Sequence, residues 1–137
     1  MTPWLRYLIA FIIGAHGFTY IPFGLLVPRQ MKQWRGTSRL LGRVLDPGQV
    51  RTAVPVLHVM AGVVILACAA AVTLAPSAPG WWFPLAILGS VLGIAAFATF
   101  WDGQLRYTVA EGGVGLGASI VLLTGALALQ AAFGAAL

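Results

Sequence analysis

The sequence predicts an all-α integral membrane protein, a four-helix transmembrane bundle. Three observations carry that expectation. The chain of 137 residues holds four apolar runs, each about as long as a bilayer is thick. It is 60% hydrophobic and only 8% charged, whereas a soluble domain carries roughly 25% charged residues. Within the runs, apolar and polar residues do not alternate as they would in a membrane barrel strand. Lipid is therefore the expected solvent, and the length fits a single transmembrane domain over residues 1–137.

The first run, residues 4–26, is long enough to cross a core of ~30 Å as a helix. Pro22 is expected to kink it or end its regular part. Arg6 ahead of an apolar stretch gives it the look of a signal peptide, but no small-x-small cleavage site follows. It is read as a retained helix.

Residues 27–51 form a basic loop. Six of the eight basic residues lie between the first two runs: Arg29, Lys32, Arg35, Arg39, Arg43 and Arg51. Beside membrane spans, such a cluster points to anionic lipid headgroups rather than to nucleic acid, and no nucleic-acid partner is expected. Met31, Trp34, Leu40, Leu41, Val44 and Leu45 are interspersed with the bases. That pattern suits a short helix in the headgroup layer, with an irregular basic loop as the alternative. Asp46-Pro47-Gly48 reads as a turn with no part in chemistry.

The second run, residues 52–75, stops at Pro76-Ser77-Ala78-Pro79-Gly80. The third, residues 81–101, has Trp81 and Trp101 at its ends, where an aromatic belt meets the two interfaces. The fourth, residues 114–136, follows Glu111-Gly112-Gly113. The loop after the third run carries Arg106, and the turn between the second and third carries no base. The positive-inside rule then puts both basic loops in the cytoplasm and both termini on the extracytoplasmic side of a cell inner or plasma membrane. Arg6 argues weakly the other way.

Gly89 and Gly93 in the third run, and Gly113 and Gly117 at the start of the fourth, have the small-xxx-small spacing that lets membrane helices approach closely. The second run is rich in small residues too, among them Ala61, Gly62 and Ala69. Whether the bundle forms a homo-oligomer or joins a membrane complex is left open by these patterns. Cys68 is expected to be a small buried hydrophobe. A lone cysteine allows neither an intramolecular disulfide nor a multi-thiolate zinc site.

His16 and His58 carry most of what the sequence says about function. An ionisable group inside a bilayer is costly and marks a functional site by default. Counted from the basic loop, His58 lies ~9 Å deep and His16 ~9–15 Å deep. Thr19 and Tyr20 share the helix face of His16. Asp102 closes the third run and Glu111 precedes the fourth, so the polar groups gather toward one end of the bundle.

Three readings fit. The histidines tie helices together by hydrogen bonds. Or His16, His58, Asp102 and Glu111 form an acid–base site, with Tyr20, Thr19 and Trp101 as substrate-binding residues. Or the two imidazoles ligate a haem b. Within the acid–base reading, His16 is the neutral orienting group and His58, nearer the boundary and three residues after Pro55, is the proton carrier. No metal and no cofactor are otherwise implied. Surface pairing with Arg106 or Arg51 is the plain alternative for Asp102 and Glu111. The chain has no phosphate-cradling glycine loop, no Cys-x-x-Cys, no Gly-x-Ser-x-Gly and no His-Glu-x-x-His.

Gly14-Ala15-His16-Gly17, Leu57-His58-Val59-Met60-Ala61-Gly62, Phe100-Trp101-Asp102-Gly103 and Glu111-Gly112-Gly113-Val114-Gly115, set around a basic loop, resemble the small four-span bacterial proteins of the DoxX-like group. The resemblance covers nearly the whole chain in short motifs. It implies the same four-span fold, and for some members a link to thiol, sulfur or quinone redox processes, with no activity common to the group. The lone Cys68 is at odds with a thiol relay.

The expected function is binding or transforming a lipophilic small molecule near the cytoplasmic face, by isomerisation, cyclisation or epoxide opening if it is an enzyme. A non-catalytic accessory subunit of a membrane complex is the alternative, and a bis-histidine haem protein a second one.

Overall fold

The computed structural model describes residues 2–30, 34, 36–74, 82–103 and 112–134; the side chains of 27–30 and 133–134 are not among the features described. The fold is all-helical, with α1 (Pro3–Gln30), α2 (Pro47–Leu74), α3 (Trp82–Phe100) and α4 (Gly113–Gly134). All four are long and apolar enough to cross a membrane, as a four-helix transmembrane bundle requires.

Helix boundaries differ from the expected spans at two places. α1 runs through Pro22 to Gln30 rather than breaking there. α2 begins at Pro47, five residues before its apolar run. The reason is local: Asp46 Oδ1 accepts from the Gln49 backbone N–H, and Gln49 Oε1 accepts from that of Asp46, both at 2.9 Å. This is a reciprocal capping box with proline at the first helical position. The Asp46-Pro47-Gly48 turn is in fact a helix start. Between Gly36 and Asp46 the chain makes turns rather than the expected headgroup-layer helix, so the irregular alternative holds there.

In lipid, helices gain little from hiding apolar surface from one another, so close packing decides the arrangement. α1 and α2 cross where Gly17 meets Gly62. A Cβ at Gly62 would stand 2.8 Å from the Gly17 carbonyl oxygen, so only glycine lets the backbones come this near. The main core joins Ala10, Ile13, Ala61, Ile65, Cys68 and Ala86 with Tyr20 and Phe83. Cys68 is buried and free, as expected of a small hydrophobe, and its thiol donates to the Trp82 carbonyl at 3.5 Å. A second cluster, Val50, Val54 and Phe100, is roofed by Phe23, Trp34 and Leu45 near the basic loop.

Each helix packs chiefly on its chain neighbours, and α4 leans on α3 while barely touching α1. The bundle is therefore a row folded part-way round, with a cleft on the α1–α4 side. That cleft holds the candidate site.

Candidate functional site

The cleft has a volume of about 260 Å³. Its sides are α1 (His16, Thr19, Tyr20, Phe23) and the start of α4 (Val114, Gly115, Ala118), and its floor is His58 of α2 with Gly93 and Phe97 of α3. His16, Thr19, Tyr20 and His58, singled out by depth and helix face in the sequence, all line this one cavity.

His58 is 2% exposed, and its Nδ1 lies 2.7 Å from the Val54 carbonyl oxygen, one turn back on its own helix. A carbonyl only accepts, so Nδ1 carries the hydrogen and Nε2 of the neutral ring is the acceptor. Among the described residues Nε2 has no hydrogen-bond partner. The ring stacks on Phe23 at 5.4 Å and 26° and meets Phe100 edge-on at 6.2 Å. The group that orients the His58 ring is thus the Val54 backbone carbonyl.

His16 reaches across the cleft. Its Nε2 lies 3.3 Å from Ser119 Oγ of α4, and Ser119 Oγ lies 2.8 Å from Tyr20 Oη. Tyr20 Oη also donates to the Gly115 carbonyl at 3.2 Å. One consistent arrangement has Ser119 donating to Tyr20 and accepting from His16 Nε2–H. These bonds are the polar tie between α1 and α4 beneath the opening. Gly93 makes room for them: a Cβ there would stand 2.5 Å from both Ser119 Oγ and Tyr20 Oη. The Tyr20 ring packs on both imidazoles, at 5.0 Å from His16 and 5.7 Å from His58. A phenol therefore occupies the ground between the imidazoles that a shared haem iron would need. Among the described residues no three His, Cys, Asp or Glu side chains gather as a metal site.

The other expected residues are placed differently. Thr19 lines the cleft, but its hydroxyl donates to the His16 carbonyl at 2.7 Å, within its own helix. Trp101 stacks on Phe97 at 6.1 Å and 18°, one layer behind the lining. Asp102 does not converge with the histidines. It lines a second cavity with Arg39 and Arg43, because α3 ends at Phe100 and the chain turns through Gly103, at φ +93°, toward the basic loop. Glu111 lies outside the described residues.

Ser119 is the site residue that sequence reasoning missed. Its signal was available: it lies six residues into α4 from Gly113, the depth in its helix that His58 has in the second run. Depth matching applied to hydroxyls as well as imidazoles finds it. Phe23, Phe97 and Phe100 gave no such signal, since aromatics in an apolar run are ordinary core.

Comparison with protein-family models, with curated proteins and with solved structures finds no match, so the site is interpreted from its own geometry. The DoxX-like resemblance rests on the short motifs alone.

Proposed function

We propose that this protein binds a small lipophilic molecule from the bilayer in the α1–α4 cleft and relocates a proton within it. The observation that carries this reading is the unpartnered His58 Nε2 on the floor of an aromatic cleft whose opposite wall holds the His16–Ser119–Tyr20 hydrogen bonds. About 260 Å³ falls just short of the ~300 Å³ at which ordinary ligand pockets begin. It suits a ring or short branched head, with an apolar tail left among the acyl chains outside. His58 takes a proton from the ligand and returns it at another position, while the Tyr20 hydroxyl, whose own hydrogen goes to the Gly115 carbonyl, accepts from a hydroxyl of the ligand. That sequence needs no net oxidant or hydrolytic water, which makes isomerisation or cyclisation the natural reaction.

The test works whatever the ligand is. Protein purified in mild detergent is analysed by native mass spectrometry for a retained lipophile, then incubated in deuterated water. The expected result is retention by the wild type and loss in Ala118→Trp, which fills the cleft, with deuterium entering the bound molecule only while His58 is present. Equal retention by Ala118→Trp would reject the cleft, and equal exchange by His58→Gln would reject the proton step.

An accessory-subunit role is favoured by one observation: Gly117 and Gly125 of α4 face open space, room for a helix of another chain. A partner that copurifies with an empty cleft would select this second reading.

A further inference from the structure

The second cavity lies at the end of α3 and is independent of the cleft. It measures about 610 Å³ and is walled by the 37–47 segment and Asp102. Three contacts hold this wall against α3. Ser38 Oγ donates to the Ala98 carbonyl at 2.8 Å, and the Arg39 backbone N–H donates to the Trp101 carbonyl at 2.8 Å. The segment thereby caps the Ala98 carbonyl in the last turn of α3 and the Trp101 carbonyl just beyond its end. The Arg39 stem also lies along Gly103, where a Cβ would come within 2.8 Å of Arg39 Cγ. Arg39 is thus held at its backbone and along its side chain before any ligand arrives.

The charges select the ligand class. Arg39 and Arg43 line the cavity with Asp102, so among the described residues two guanidiniums stand against one carboxylate, a net charge of +1. Among the described residues neither guanidinium has a hydrogen-bond or ion-pair partner. Guanidinium forks match phosphate oxygens, and a net single positive charge matches a monoanion better than a dianion. Leu40 and Val44 are exposed on the same turns, 54% and 79%, as suits a segment dipping into the acyl boundary. The partly buried Trp34 and Trp101 stand at this level of the bundle, where indoles anchor membrane proteins.

We propose that the Arg39–Arg43–Asp102 cavity binds the monoanionic phosphodiester of a membrane-lipid headgroup, one whose phosphate carries its only charge. Free phosphate shares the anion chemistry but lacks the tails that Leu40 and Val44 would meet. A lipid is therefore the occupant.

The test uses the full chain in mild detergent with equal amounts of phosphatidylglycerol and phosphatidylcholine of the same acyl chains. Native mass spectrometry reads the lipid retained per chain. The wild type is expected to prefer phosphatidylglycerol by about tenfold, because both phosphates meet the arginines but the choline cation brings a like charge against them. Arg39→Gln/Arg43→Gln should bring the ratio to about one, and Arg39→Lys/Arg43→Lys should keep part of it. Arg43→Gln alone covers the case in which the double variant misfolds. Arg43 is exposed, so this change spares the fold and should lower the preference about threefold. No preference in the wild type, or an unchanged one in Arg43→Gln, overturns the proposal. So does displacement of the lipid by an equal concentration of inorganic phosphate.

Discussion

Ser119 is the residue on which the site turns, because it alone bonds both His16 and Tyr20. Its hydroxyl is fully buried, so removing it leaves two polar side chains with one fewer partner in a water-poor place. Ser119→Ala is expected to destabilise the bundle by about 1 kcal/mol, the usual worth of a polar bond between membrane helices. Tyr20→Phe should cost a similar amount, and the double variant little more than either, since both remove the same bond. Thermal unfolding of the four proteins in one detergent checks this, and additive losses would show that the bond carries no coupling. Gly93→Ala tests the same place from the other side. Its methyl group meets Tyr20 Oη and Ser119 Oγ, so it should lower stability by about 1–3 kcal/mol and weaken ligand retention with it. A melting temperature equal to that of the wild type would mean that the two hydroxyls move aside freely.

At the level of elements, the 36–46 segment explains why Asp102 parts from the histidines. Its bonds to Ala98 and Trp101 draw the end of α3 toward the arginines and away from the cleft. The same geometry decides how orientation should be tested. Ser38 looks like a free loop hydroxyl in the sequence, but it is 4% exposed and bonded. Thr37 beside it is exposed. In a Cys68→Ala background, Thr37→Cys is expected to react with an impermeant thiol reagent only after the cytoplasmic side is opened, as the six basic residues predict. Labelling from outside intact cells would reverse the topology. The capping box at Asp46 belongs to this level as well. The aspartate, proline and glutamine that make it were legible, but a turn and a helix start share that chemistry, and only the continuing helix tells them apart.

For the bundle as a whole, the consequence that matters is the sparse contact between α1 and α4. A bundle closed on all sides would leave His16, Tyr20 and His58 as buried ties, the structural reading of the histidines. The gap turns them into the lining of a cleft whose mouth lies between two membrane-spanning helices. Most of α4 is exposed, with Ser119 and Ala126 its buried residues among those described. For the ligand proposed above, that placement favours entry from the bilayer rather than from water.

The class and the spans were legible in the chain itself, because bilayer thickness imposes a run of about 20 apolar residues and charge cannot stay in hydrocarbon. So were the similar depths of His16 and His58 and the helix face that Tyr20 shares with His16, since depth and face along a helix are counts of residues. Which residues then meet is a matter of helix rotation and neighbour choice, set by contacts such as Gly17 on Gly62 and Gly93 on Tyr20. Those contacts join residues far apart in the chain, and no local pattern encodes them. It took the packed bundle to bring Ser119 to His16, send Asp102 to the cavity that Arg39 and Arg43 line, and leave α1 and α4 apart.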